Sequence, residues 1–148
     1  MRNIVKSARI AVSGLVTLSI FVPALAHADT LDAQMDCKSD GHSFISPLLV
    51  SGEIEVKPMR VEPNSINAFR VKKGVHLTAF DYRVYAVIGY QKDDPLFEVG
   101  NGEPIADSAY GVIVIGPTED VEDRVHQAGG TAVVHRVNPL VTAIICKQ

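Results

Sequence analysis

The middle of the chain alternates apolar and polar residues with the period of two that is typical of half-buried β-strands. The alternation predicts strands over Ser51–Pro58, Ile66–Val71 and Val75–Phe80, with a turn at Gly74 between the second and the third. It is longest over Phe80–Tyr90, where every second side chain is apolar and the intervening ones are mixed. We therefore expect this segment to be a sheet strand with one face on the core.

A period close to 3.6 replaces the alternation over residues 117–128 and predicts the main helix of the protein. Pro117 suits the first helical turn, and Glu119 and Asp120 lie where the helix dipole favours negative charge. A Gly-Gly pair follows the helical pattern and is typical of a helix end. The apolar stripe of this helix is expected to pack on one face of the sheet.

Apolar segments on both sides of this helix predict strands over Ala109–Ile115 and Thr131–Val137, and a last strand follows over Leu140–Cys146. A strand, a helix and a second strand of these lengths predict a βαβ-like unit with its two strands parallel. The remaining strands are expected to be antiparallel. We therefore predict an α+β fold: a mixed, mostly antiparallel sheet of six to eight strands with one main helix on one face.

The N-terminal segment, residues 1–28, has the order of features found in a secretory signal peptide. Met1–Arg9 contains basic residues and no acidic one, Ile10–Val22 is apolar, and Ala26-His27-Ala28 provides small residues before a cleavage point. The apolar stretch is shorter than the roughly 20 residues of a membrane-spanning helix. We therefore expect an exported protein, periplasmic or secreted, whose residues 29–148 form a single domain that is not attached to a membrane.

Removal of this segment changes the charge of the protein and the partners that it favours. The whole chain has a formal net charge of -3, whereas residues 29–148 contain 11 basic and 17 acidic side chains, a net charge of -6. An excess of acidic residues disfavours nucleic acid and favours a basic protein partner. Arg70, Lys72 and Lys73 form only a small basic group on the predicted hairpin, of the kind that keeps a sheet edge soluble.

The two cysteines of the chain, Cys37 and Cys146, are separated by 109 positions. An even pair in an exported protein predicts a disulfide, here between the start of residues 29–148 and the last strand. Closing so long a loop stabilises a fold by about 4–5 kcal/mol in the chain-entropy description. The sequence has no Cys-x-x-Cys spacing, which disfavours a redox-active pair.

The sequence contains no motif that predicts a cofactor or a metal ion. The junction before the main helix lacks a glycine-rich phosphate loop, and the histidines show no His-x-x-x-His spacing. No Gly-x-Ser-x-Gly sequence marks a hydrolytic nucleophile. Neighbouring carboxylates at Glu98, Glu103 and Asp107, with His126 or His135, leave open a small carboxylate-dependent hydrolase or carbohydrate-active enzyme.

The leading prediction is therefore an exported binding or interaction module without enzymatic activity, of the kind found among inhibitors, immunity-type proteins and accessory subunits. Tyr85 is the favoured contact residue, because the strand alternation places it on the outer face with Arg83 and Asp81. Tyrosine and arginine are enriched at protein interfaces. A third alternative is a small-ligand-binding domain, which requires an apolar cavity within a curled sheet.

Overall fold

The computed structural model of the chain describes residues 29–148. The predicted signal peptide, residues 1–28, lies outside the described residues. Within the described part, the chain forms one eight-stranded sheet with two α-helices and a short 3-10 helix. In chain order the elements are β1 (Asp29–Thr30), the 3-10 helix (Asp32–Met35), α1 (Gly41–Val50), β2 (Arg60–Val61), β3 (Asn67–Arg70), β4 (Leu77–Ala79), β5 (Tyr82–Gln91), β6 (Ser108–Ile115), α2 (Thr118–Gln127), β7 (Val133–Asn138) and β8 (Val141–Lys147).

The strand β5 is the longest of the sheet and pairs with three others. It is antiparallel to β6, and the order continues through β8 to β7 with antiparallel pairs throughout. The strands β3 and β4 are also antiparallel to β5, and β2 is antiparallel to β3. Among the described strands, only β1 and β4 form a parallel pair. The predicted α+β fold with a mixed, mostly antiparallel sheet is confirmed.

Both α-helices pack on the same face of the sheet. The ring of Phe44 in α1 lies 4.7 Å from the ring of Tyr110 in β6, and the hydroxyl of Thr118 in α2 lies 3.1 Å from that of Thr142 in β8. Tyr110 is opposite Cys146, which is four residues from Thr142 in β8, so both contacts lie on one face. The largest side chains buried between this face and the helices include Phe69, Val87, Tyr110, Val112, Val114, Val121, Val125 and Ile144.

The sequence pattern predicted one main helix, and the structure contains a second one, α1. Asp40 caps α1 by accepting a hydrogen bond from the backbone N–H of Ser43 at 2.8 Å. Phe44 and Leu48, four positions apart, are buried against the sheet. The apolar pattern did not reveal this helix because it is short and because Pro47, which lacks a backbone N–H, lies inside it.

The predicted strand over Ser51–Pro58 forms only an isolated bridge, between Ile54 and Val71. Only one position follows the alternation: Ile54 is fully buried between exposed or half-buried neighbours, whereas Val56, the next apolar residue of the pattern, is 74% exposed. Pro58 has no N–H to donate to a ladder, so regular pairing cannot continue to the end of the segment. The sequence pattern was therefore correct about Ile54, and wrong about Val56 and about the extent of the strand.

The unit formed by β6, α2 and β7 differs from the predicted βαβ arrangement in one respect. The strands β6 and β7 point in the same direction, because each is antiparallel to β8, but β8 lies between them. A tight turn at Pro139 and Leu140 returns the chain directly from β7 to β8. The more apolar strand, β8, thereby occupies the inner position, and β7 becomes the last strand of the sheet.

The predicted disulfide between Cys37 and Cys146 is confirmed, with Cα atoms 5.0 Å apart. It joins the segment before α1 to β8. The backbone N–H of Ser39 donates a hydrogen bond to the hydroxyl of Tyr110 at 3.3 Å, two residues beyond the bridge. The segment before α1 is therefore attached to the sheet both covalently and through a buried tyrosine.

Candidate functional site

Two of the three predicted contact residues, Arg83 and Tyr85, line the same surface groove, which has a volume of about 330 Å³. Both side chains are exposed. The third residue, Asp81, lies in the two-residue turn between β4 and β5, and its carboxylate forms an ion pair with Arg124 of α2. The structure thus brings Arg83 and Tyr85 together, whereas Asp81 is engaged in attaching α2 to the sheet.

A β-bulge explains why Tyr85 is exposed in the middle of a strand. Val84 pairs with Val114 and Ala86 pairs with Ile113, so Tyr85 has no partner residue in β6. Its side chain is 47% exposed, whereas the residues on either side of it are buried. The alternation of the sequence correctly placed Tyr85 outside the core, but the bulge could not be read from it.

Positive charge is concentrated around Arg83 and Tyr85. We call this groove the basic groove, because five of the residues that line it are basic, and within residues 29–148 no acidic residue lines it. None of its lysines or arginines forms an ion pair with an acidic side chain of the described residues. The five basic residues are Arg70, Lys72, Lys73, His76 and Arg83.

The strand pairing brings these basic residues together from three segments. Arg70 ends β3 and lies opposite Ala86 of β5, while Lys72 and Lys73 belong to the turn before β4. Gly74 allows this turn because its φ of 87° is in the left-handed region. The basic group noted in the sequence is therefore larger than its three neighbouring residues, since β5 adds Arg83 and the approach to β4 adds His76.

A second groove lies on the face of the sheet against which, within residues 29–148, neither α-helix packs. This sheet-face groove has a volume of about 520 Å³ and is open to solvent. Arg136, His135 and Val137 of β7 lie at one side of it, and Glu62 lies at another. Its apolar lining is formed by Ile66, Ala68, Ile88, Ile105, Ile113 and Ile145.

The sheet-face groove is bordered by an open sheet edge. Among the described strands, β7 pairs with β8 alone, and it has no partner on its other side. Five of its six residues are exposed, including Val133 and Val137 at 52% each. Val133 lies opposite Ile145, which lines the groove, so Val133 is on the face of the sheet that carries the groove.

The carboxylates of the hydrolase alternative do not line either groove. Glu98, Glu103 and Asp107 are exposed, and Asp107 lies 3.7 Å from the amine of Lys92. The two histidines considered with them are also apart. His126 belongs to α2, and His135 borders the sheet-face groove on the opposite face.

Within residues 29–148, no group of three or more His, Cys, Asp or Glu side chains is arranged to hold a metal ion. No helix in this described part is long and apolar enough to cross a membrane.

Two other tyrosines, the fully buried Tyr110 and the partly buried Tyr82, have hydroxyls whose pKa is raised, and burial is the main cause for each. For Tyr82, the negative charges of Asp120 and Asp123 raise the pKa further. For Tyr110, Asp36 raises it, whereas the hydrogen bond from Ser39 lowers it. These two side chains pack against the core, whereas Tyr85 is 47% exposed and lines the basic groove.

A comparison of the chain with protein-family profiles, with curated proteins and with solved structures found no match. The features that bear on function are therefore the two grooves and the residues that line them.

Proposed function

We propose that this protein is an exported, non-enzymatic interaction module that binds an extended segment of a partner protein at β7. The observation that carries the proposal is the open edge of β7, with two exposed valines beside an apolar groove. The segment would pair with β7 as an additional strand, and its alternate side chains would enter the sheet-face groove.

The physical reason is that, among the described strands, the backbone of β7 is paired on one side only. An edge strand presents unpaired N–H and C=O groups, and such edges are usually protected by charged residues, prolines, bulges or a covering loop. The sequence of β7, Val-Val-His-Arg-Val-Asn, contains neither lysine nor proline. Its arginine, Arg136, forms an ion pair with Glu119 of α2, and its register shift lies near its end, between Arg136 and Asn138, so the first half of the strand is a regular edge. A peptide that adds to such an edge gains affinity from main-chain hydrogen bonds and specificity from pockets for alternate side chains.

The proposed export is supported by the disulfide between Cys37 and Cys146, since disulfides persist in oxidising compartments. It also agrees with the signal-peptide pattern in the sequence. An exported protein meets its partners outside the cytoplasm, and the partner is therefore expected in the same compartment or on a cell surface.

The experiment uses a displayed library of random peptides, selected against the disulfide-bonded protein. Selected peptides are expected to bind the wild type and to protect β7 amides from hydrogen exchange. The double variant Val133→Lys/Val137→Lys is expected to weaken binding about tenfold or more, because the two charges would have to be desolvated. The matched control is Val56→Lys/Val99→Lys, at valines that are 74% and 73% exposed and lie outside β7.

The proposal is abandoned if selection yields no binder, or if the binders tolerate both lysines in β7 as well as they tolerate the control substitutions. Light scattering of the free protein tests whether the added strand comes from a second copy of the chain. A dimer that dissociates in the Val133→Lys/Val137→Lys variant, and persists in the control, would identify a second copy of the chain as the added strand.

A further inference from the structure

We propose that the basic groove is a second binding site, which recognises an acidic protein segment carrying an apolar side chain. The site lies at β3, β4 and β5, and the strands β6 and β8 separate β5 from β7 in the sheet. It is therefore distinct from the strand-addition surface, and its occupation does not depend on the proposed function.

The distribution of charge on the surface favours an acidic ligand. Residues 29–148 have a net charge of -6, yet four of their 11 lysines and arginines line this one groove. Four others, at different places on the surface, form ion pairs with acidic side chains. Cations that lie together without an ion-paired carboxylate repel one another, and an acidic ligand relieves that repulsion.

The apolar boundary of the groove favours a ligand that also carries an apolar side chain. Tyr85 and Ile115 both line it, and each is 47% exposed. Large apolar side chains beside a charged groove favour a ligand that combines both properties. A peptide with carboxylates and a leucine or phenylalanine has this composition, whereas an inorganic anion does not.

Acidic residues beside the basic groove disfavour a long polyanion. The segment that contains Glu53 and Glu55 runs directly beside the groove, since the N–H of Glu55 donates to the carbonyl of Arg70 and the N–H of Lys72 donates to that of Glu53. A nucleic acid or acidic polysaccharide that extended beyond the groove would meet these carboxylates. A short acidic segment has few charges outside the groove and therefore meets less of this repulsion.

The test uses two short synthetic peptides of equal length, one alternating Glu with Leu and the other alternating Gln with Leu. Calorimetry is performed on the disulfide-bonded protein at about 50 mM and about 300 mM salt. The Glu peptide is expected to bind at least about tenfold more tightly than the Gln peptide at low salt, and to lose affinity at high salt.

Variants locate the binding. Arg70→Gln/Arg83→Gln is expected to weaken binding of the Glu peptide about tenfold. The matched control, Lys38→Gln/Lys147→Gln, removes the same charge at positions that do not line the groove and is expected to change affinity less than about twofold. The variant Val133→Lys/Val137→Lys is expected to leave this binding intact, so the two proposals fail separately.

A double variant with reversed charges distinguishes recognition of charge from a general loss of affinity. Lys73→Glu/Arg83→Glu is expected to prefer a peptide that alternates Lys with Leu over the Glu peptide. The inference is overturned if the Glu peptide does not bind, if both double Gln variants weaken it equally, or if inorganic phosphate or a single-stranded oligonucleotide displaces it and binds more tightly.

Discussion

The side-chain amide of Asn67 forms two reciprocal hydrogen bonds with the backbone of Glu98. Its Nδ2 donates to the carbonyl oxygen of Glu98 at 2.7 Å, and the N–H of Glu98 donates to its Oδ1 at 2.9 Å. One buried side chain in β3 thus acts as a strand partner for the chain that leaves β5. The loop held in this way continues to Ile105, which lines the sheet-face groove.

Replacement of Asn67 by alanine is expected to lower the free energy of unfolding by about 2–4 kcal/mol, because partly buried backbone groups of Glu98 would lose their partners. Urea denaturation measures the change. Asn101→Ala is the control, at an exposed position, and is expected to stay within about 0.5 kcal/mol of the wild type. Equal stability of the two variants would show that the hydrogen bonds to Glu98 contribute nothing measurable.

Removal of the disulfide by Cys37→Ala/Cys146→Ala is expected to lower the free energy of unfolding by about 2–5 kcal/mol. The loss comes mainly from the unfolded chain, which regains the freedom of a loop that spans 109 positions. Denaturation of the oxidised wild type and the double variant gives the value. A reducing agent should destabilise the wild type and leave the variant unchanged, and an effect on both would point to another cause.

Alkaline pH is expected to destabilise the protein through its buried tyrosines. Burial raises the pKa of Tyr110 in the folded state above the usual value of 10.0. Below about pH 10 both states keep the phenolic proton, and above it the unfolded state releases the proton first, so stability falls as the pH rises through this range. Tyr110→Phe should therefore lose less stability than the wild type between about pH 9 and about pH 11.

Two further measurements complete this test. At neutral pH, Tyr110→Phe should be less stable by about 0.5–1.5 kcal/mol, because the N–H of Ser39 loses its acceptor. Part of the alkaline loss should remain, since the pKa of Tyr82 is also raised by burial. Tyr85→Phe, at the exposed tyrosine, serves as the control, and an identical pH dependence in all three proteins would contradict the prediction.

Substitution of Gly111 by alanine is expected to destabilise the sheet by about 3 kcal/mol or more. A Cβ atom at this position in β6 would overlap with the backbone carbonyl oxygen of Ile144 in β8, and paired backbone in the middle of a sheet cannot move aside. The comparison is Gly74→Ala, where no atom is near and only the positive φ opposes the side chain, at about 1–2 kcal/mol. Thermal unfolding should rank Gly111→Ala as clearly the less stable.

Much of the candidate chemistry could be predicted because it depends on local pattern. The alternation over β5 placed Tyr85 and Arg83 outside the core, and both line the basic groove. The basic residues that complete the groove could not be assembled from the sequence. Their meeting depends on the pairing of β3 and β4 with β5, and pairing partners are chosen by contacts between distant segments.

The sequence by itself determined the features that follow from periodicity and composition: most of the strands, the helix α2, the α+β class and the pairing of Cys37 with Cys146. The tertiary structure alone decided that α1 forms and that β8 lies between β6 and β7 in the sheet. The sheet therefore ends in an exposed strand, β7, beside an apolar groove. The difference has a physical reason. Hydrophobic period is written into each segment, whereas the order of strands and the open edge result from competition between segments for the same buried positions.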